Sequence, residues 1–212
     1  MSVNIHSRLS TLLFENPELI TVVNRFGITL GVGDKSIETL CRRNGADPEF
    51  VVAIINVSLG HSDSTTSNLK EFAPSLIVDY LRKTNSYYAT AMLPNIERHL
   101  KSLVNHSEKR DNLDLLKQFF HEAQEQLQLR IRHDEDVFFP TLLEAGENEE
   151  KYPRDRQEMD MQIADKFADL ANFFIVHLKG KYDHNLCRGV VTAIVTLSKD
   201  IARNNELRLL FS

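Results

Sequence analysis

Cysteine is scarce in this chain. Only two occur in 212 residues, Cys41 and Cys187, far apart in sequence. They leave no disulfide framework to staple a fold, and two isolated cysteines make no zinc signature. Both read as ordinary core or helix residues. No apolar run reaches the roughly 18 residues that a membrane-spanning helix requires. The opening MSVNIHSRLSTLLFENPEL has no basic stretch followed by an apolar one, so it does not read as a signal peptide, and the expected location is the cytoplasm. A basic excess is missing as well. The net charge is −5 and the isoelectric point about 5.9, which disfavours nucleic acid as the partner because neutralising phosphates needs a basic face. There is no internal repeat and no low-complexity tract. What remains is a chain with 42% hydrophobic residues, enough for a proper core, and long enough for one large domain or two small ones.

The periodicities are helical throughout. Leu9 to Arg25 reads as helix interrupted near Asn16-Pro17. A glycine-rich turn, Gly27 to Gly33, follows. Asp34 is placed to cap a helix from Lys35 to about Arg43, which Asn44-Gly45 ends. Asp47-Pro48 opens the next helix, with Asp as N-cap and Pro at the first helical position. Helix, short turn, helix has the dimensions of a DNA-reading pair. The second helix, PEFVVAIINVSLG, carries no Lys or Arg to meet bases or phosphates, so a plain helical hairpin is the better reading. Gly31-Val32-Gly33 lacks both the preceding strand and the lysine pattern of a phosphate-binding loop. The reading is therefore all-α: an N-terminal helical domain over 1–60, a polar linker over 61–74, and an up-down four-helix bundle over 75–212.

Extending each bundle stripe by threes and fours gives the functional clue. The first helix, from about Ser75 to Leu103, carries Ile77, Leu81, Tyr88, Met92 and Ile96 inward, with Asn85 falling between Leu81 and Tyr88. Pro94 marks a kink or break in it. The second, about Asn112 to Leu143, runs Leu116, Phe119, Ala123, Leu127, Arg130, Asp134, Val137. The third, about Asp155 to His177, extends Ile163, Phe167, Leu170 and Phe174 back to Asp160. The fourth, about Asn185 to Phe211, runs Val190, Ile194, Leu197, Ile201, Asn204, Arg208, Phe211. Each helix thus puts a polar residue on its inward face, and burial of such groups is unfavourable unless they pair with one another or with a ligand. No pair of histidines occupies facing inward positions. His121 and Glu125 have chelating spacing, but His121 lies about 180° round the helix from Arg130. His133 is a boundary position.

The segment FGITLGVGDKSIETLCRRNGADPEFVVAIIN resembles the N-terminal domain of the ScdA-like repair-of-iron-centres family. LRKTNSYYATAMLP, RIRHDEDVFFP and IARNNELRLLF resemble three helices of the hemerythrin-like bundle that follows it there. The resemblance implies a di-iron centre held by histidines and carboxylates from four helices, and a role in repairing iron–sulfur clusters after nitrosative or oxidative damage. The same comparison assigns the ligand positions. Asn85 or Ser86 stands where the first helix of the family carries histidine. Arg130 and Asp134 stand for the HxxxE of the second helix, Asp160 for the histidine of the third, and Asn204 and Arg208 for the HxxxE of the fourth. Near Leu30 and Gly31 the family often has a cysteine pair; here only the later Cys41 remains.

The polar belt at former ligand positions is therefore Asn85, Arg130, Asp134, Asp160, Asn204 and Arg208. Arginine has no lone pair for a metal. As a set, two guanidinium groups can take the space and charge of lost cations. Asp134 and Asp160 would pair with Arg130 and Arg208, and Asn85 and Asn204 would satisfy what remains; on that reading Arg130→His destabilises the protein. The expectation is a non-enzymatic, metal-free paralogue with no cofactor, acting as a stress-related interaction or sensing protein with a protein partner. The alternative is a metal-binding repair protein, di-iron or altered-site, with Asp134, Asp160 and His133 or Glu135 around one ion. An anion pocket at Arg130 and Arg208 is a further reading, and a homodimer is allowed though no residue demands it.

Overall fold

The structure is a computed structural model and describes residues 3–60, 69–107, 111–144 and 152–211. Among the described residues every regular element is helical, and the only strand-like feature is an isolated bridge between Arg8 and Ser36. Contacts divide the chain into two compact units, residues 1–84 and 85–212.

In the first unit, Asn16-Pro17 separates α1 (Leu9–Glu15) from α2 (Leu19–Asn24). The next helix, α3 (Ile37–Asn44), starts later than the sequence suggests. Ser36, not Asp34, is its cap, its hydroxyl accepting from the Thr39 N–H. The backbone of residues 35–37 is meanwhile tied to the N-terminal segment by Leu9 N–H to Lys35 O and Ile37 N–H to Ser7 O, so the turn of helix cannot begin at Lys35. Gly45 closes α3 in the left-handed conformation, φ 67°, which favours glycine at that position. Asp47 caps α4 (Pro48–Ser58) by accepting from the Phe50 N–H, with Pro48 in the first turn. Every residue from Phe50 to Ser58 is buried. An all-round apolar helix belongs in a core, and this one has no free face to lay in a DNA groove.

Most of the expected linker, 61–68, lies outside the described residues. The remainder does not hang free: Leu69 is fully buried and the Phe72 ring packs edge-on against Phe50. Tyr80, on α5 (Pro74–Tyr87), stacks on Phe26 and accepts from Arg25 at 2.9 Å. Those contacts carry the first unit's boundary to residue 84, beyond the start of the helix assigned to the bundle.

The second unit is built on four helical rods around one core. They comprise a π turn (Tyr88–Met92) leading into α6 (Leu93–Asn105); α7 (Asp111–His133), a π turn (Asp134–Phe138) and α8 (Phe139–Glu144); α9 (Arg154–His177); and α10 (His184–Arg208), which ends in a 3₁₀ turn at Leu209–Phe211. Each of α6, α7, α9 and α10 packs on two of the others, closing a ring of α6, α7, α9 and α10. The core inside includes Leu100, Leu116, Phe120, Leu127, Phe167 and Ile194.

Both π turns end two residues before a proline, Pro94 and Pro140. Proline offers no N–H and its ring crowds the carbonyl four residues back; a widened turn relieves both. The second π turn shifts the inward register by one residue. Asp134 is followed on the buried face by Phe138, 3% exposed, and Val137 points out at 50%. The expected stripe is also wrong at Phe119, which is 41% exposed while its neighbour Phe120 is fully buried.

Candidate functional site

All six belt residues are buried: Asn85, Arg130, Asp134, Asp160, Asn204 and Arg208 are each at most 2% exposed. Arg130 and Asp134 come from the end of α7 and its π turn, Asp160 from α9, and Asn204 and Arg208 from α10. Asn85 lies on α5 at the start of the second unit.

Arg208 organises the belt. Its Nη1 donates to Asp134 Oδ1 at 2.8 Å and its Nη2 donates to Asp134 Oδ2, a two-pronged pair. Nη1 also lies 3.4 Å from Asp160 Oδ2. The guanidinium stacks over the Phe138 ring, 5.2 Å from its centre. Asn85 completes the Asp134 shell, its amide donating to Oδ2 at 2.8 Å. Burial alone pushes the Asp134 carboxyl up, but the charge and hydrogen bonds of Arg208, then Arg130 and Asn85, outweigh it and hold it below the ordinary carboxylate range. Burial likewise disfavours the charged Arg208, and the two carboxylates reverse that, leaving its pKa raised.

Arg130 does not pair with a carboxylate, contrary to the expectation from sequence. Arg208 takes both acids, and the Arg130 Nη1 donates instead to the neutral side chain of Asn205 at 2.9 Å. The Arg130 Nε and Nη2 find no hydrogen-bond partner. Burial and then repulsion from Arg208 lower its pKa, against the smaller pull of Asp160 and Asp134. Asn205 in turn donates to the Asp160 backbone carbonyl at 2.8 Å. Asn204 donates to the Tyr88 hydroxyl at 2.9 Å and to the Asp200 carbonyl at 2.6 Å.

The network includes residues not singled out from sequence. Tyr152 is buried and donates its hydroxyl to Asp160 Oδ2 at 2.8 Å. Arg156 lies 3.5 Å from Asp160 Oδ1. Stepping the α9 stripe back one more turn from Asp160 reaches Arg156, and Asn205 adjoins Asn204, so both carried a signal. Tyr152 sits ahead of its helix and carried none.

The belt does not fit a di-iron centre. Its only anionic groups are two carboxylates, both engaged by Arg208, and two of its positions are guanidiniums without a lone pair. Among the described residues no three His, Cys, Asp or Glu side chains gather as a metal-holding group. His121 is half-buried and near Gln124, 3.3 Å away. Nucleophilic chemistry at Cys41 is disfavoured too. Burial, then the charge of Asp47, pushes its thiol up to about 11, so it is protonated at neutral pH.

The depressed Asp134 carboxyl makes stability pH-dependent in a defined direction. A group whose pKa falls on folding stabilises above its unfolded value and loses that contribution as pH drops through the folded value. The stability gap between the protein and Asp134→Asn, read by urea unfolding, should therefore be full above about pH 4 and shrink in stronger acid. A gap that stays constant into strong acid would contradict the ionised pairing.

No helix among the described residues is long and apolar enough to cross a membrane. Comparison with known proteins finds no matching family model, no matching curated protein and no matching solved structure.

Proposed function

We propose that this chain keeps the hemerythrin-like bundle of the iron-centre repair proteins without their di-iron chemistry, and works in the stress response by binding another molecule as an interaction or sensing protein. One observation carries this reading: the buried Arg208 grips Asp134 with both prongs and reaches Asp160 at the ligand positions the resemblance assigns. A cation there would have to displace a guanidinium from the only two carboxylates within the belt. Exposed apolar side chains on α7 and α9, among them Leu115, Phe119 and Ile175, support a role in contacts with a partner.

Elemental analysis tests it. Protein expressed with ample iron and purified without chelator should carry near-zero iron and show no di-iron charge-transfer band. About two irons per chain, the family stoichiometry for a bundle of this kind, would overturn the reading and revive the metal-binding alternative.

A further inference from the structure

Outside the belt a cleft of about 370 Å³ opens between the end of α7 with its π turn and the start of α9. Its size falls in the range of small-molecule pockets, roughly 300–1,000 Å³. His133, Phe138, Tyr152, Pro153, Arg156 and Met159 are among its lining residues.

The chemistry of the lining is specific. Arg156 is 16% exposed, and its Nε and Nη2 make no hydrogen bond. Its ionic neighbour, Asp160 Oδ1, stands 3.5 Å away, while Asp160 Oδ2 already accepts from Tyr152 and lies near Arg208. A guanidinium so enclosed lacks acceptors for a fork of donors that matches a carboxylate. His133 adds a ring Nδ1 with no partner. Pro153 is the N-cap of α9 and no side chain caps that end, so first-turn N–H groups are left for an acceptor. Val137, Phe138 and Met159 give the wall its apolar part, the first and last of them half or more exposed, and Thr141 adds a hydroxyl beside them. Asp155 also lines the cleft, and its charge disfavours a multiply charged ligand such as phosphate.

We propose that this cleft binds a small organic monocarboxylate, its carboxylate on Arg156 and its apolar body against Val137, Phe138 and Met159. None of the six belt residues is among the residues that line the cleft, but Arg156 and Tyr152 join its wall to Asp160. Binding there draws Arg156 away from Asp160, which links the cleft to the buried network.

The test is a chemical-shift titration of the ¹⁵N-labelled full chain with sodium benzoate, with benzamide as the uncharged control and inorganic phosphate as the bare anion. Benzoate should give saturable shifts at residues 133–141 and 152–159, with a Kd near or below about 1 mM. Benzamide and phosphate should give none. Arg156→Gln should weaken benzoate binding about tenfold or more, the loss expected for a charged hydrogen bond. If that variant fails to fold, Met159→Glu, which adds a second carboxylate at an exposed wall position, should abolish binding instead. No saturable benzoate shift up to about 10 mM, equal binding of benzamide or phosphate, or benzoate binding unchanged in either folded variant would overturn the proposal.

Discussion

Arg208→Met is expected to lower the unfolding free energy of the helical core by about 3–5 kcal/mol. Asp134 and Asp160 are 0% and 1% exposed. Removing Arg208 takes two hydrogen bonds from Asp134 and a third contact from Asp160. Two carboxylates then remain in the core with hydrogen bonds from Asn85 and Tyr152, the poorly aligned Arg156 and the charge of Arg130, which bonds to neither of them. A buried charge stripped of its partner is among the most destabilising changes a core can suffer.

Arg130→Met should behave differently although Arg130 is equally buried. It makes one hydrogen bond, to neutral Asn205. Burial and the Arg208 charge both work against its ionised form, and the carboxylates compensate only in part. Its loss should change stability by about 1 kcal/mol, because the amide oxygen left unpaired is offset by removal of two unbonded donors and a repelled charge. The sequence reading, in which Arg130 held an acid, put Arg130→His among the destabilising changes; the observed pairing removes most of that expected effect. Urea unfolding of the two methionine variants decides the matter. Equal losses would mean that the acids are shared between the arginines.

Phe120→Ala should cost about 3–5 kcal/mol in the same measurement. The ring is fully buried and packs edge-on against Phe167, with centres 6.4 Å apart, so truncation opens a cavity the surrounding helices cannot fill. Phe119→Ala, one residue away, should cost about 1 kcal/mol or less. Phe119 is 41% exposed and meets the partly buried Phe173 edge-on. The reverse order would restore the stripe drawn from sequence and with it a different rotation of α7.

That pair shows where reading a sequence by period succeeds and where it runs out. The stripes of the third and fourth rods needed no correction from Asp160 to Phe174 and from Val190 to Arg208, because uninterrupted α-helix keeps its 3.6-residue repeat. Asp47-Pro48 and Gly45 were legible for a similar reason: their chemistry is local to one turn. The second rod was harder. An apolar Phe119-Phe120 pair leaves the face ambiguous, and a π turn before Pro140 inserts a residue into the count, so regular spacing points to Val137 where the fold buries Phe138. Asp34 lost the capping role to Ser36 because hydrogen bonds from a distant segment, Ser7 and Leu9, set where α3 begins.

The sequence by itself determined that the chain is helical and that each rod of its second half turns a polar group inward, since both follow from residue spacing along one helix. Only the tertiary structure decided the partners. Whether Asp134 meets Arg130 or Arg208 depends on the rotation of α10 against α7, and whether Asp160 is shared with Tyr152 depends on how the chain enters α9. Spacing within one helix carries neither quantity. The charge distribution of the belt, one arginine holding both acids and another left with an amide, is therefore a product of packing.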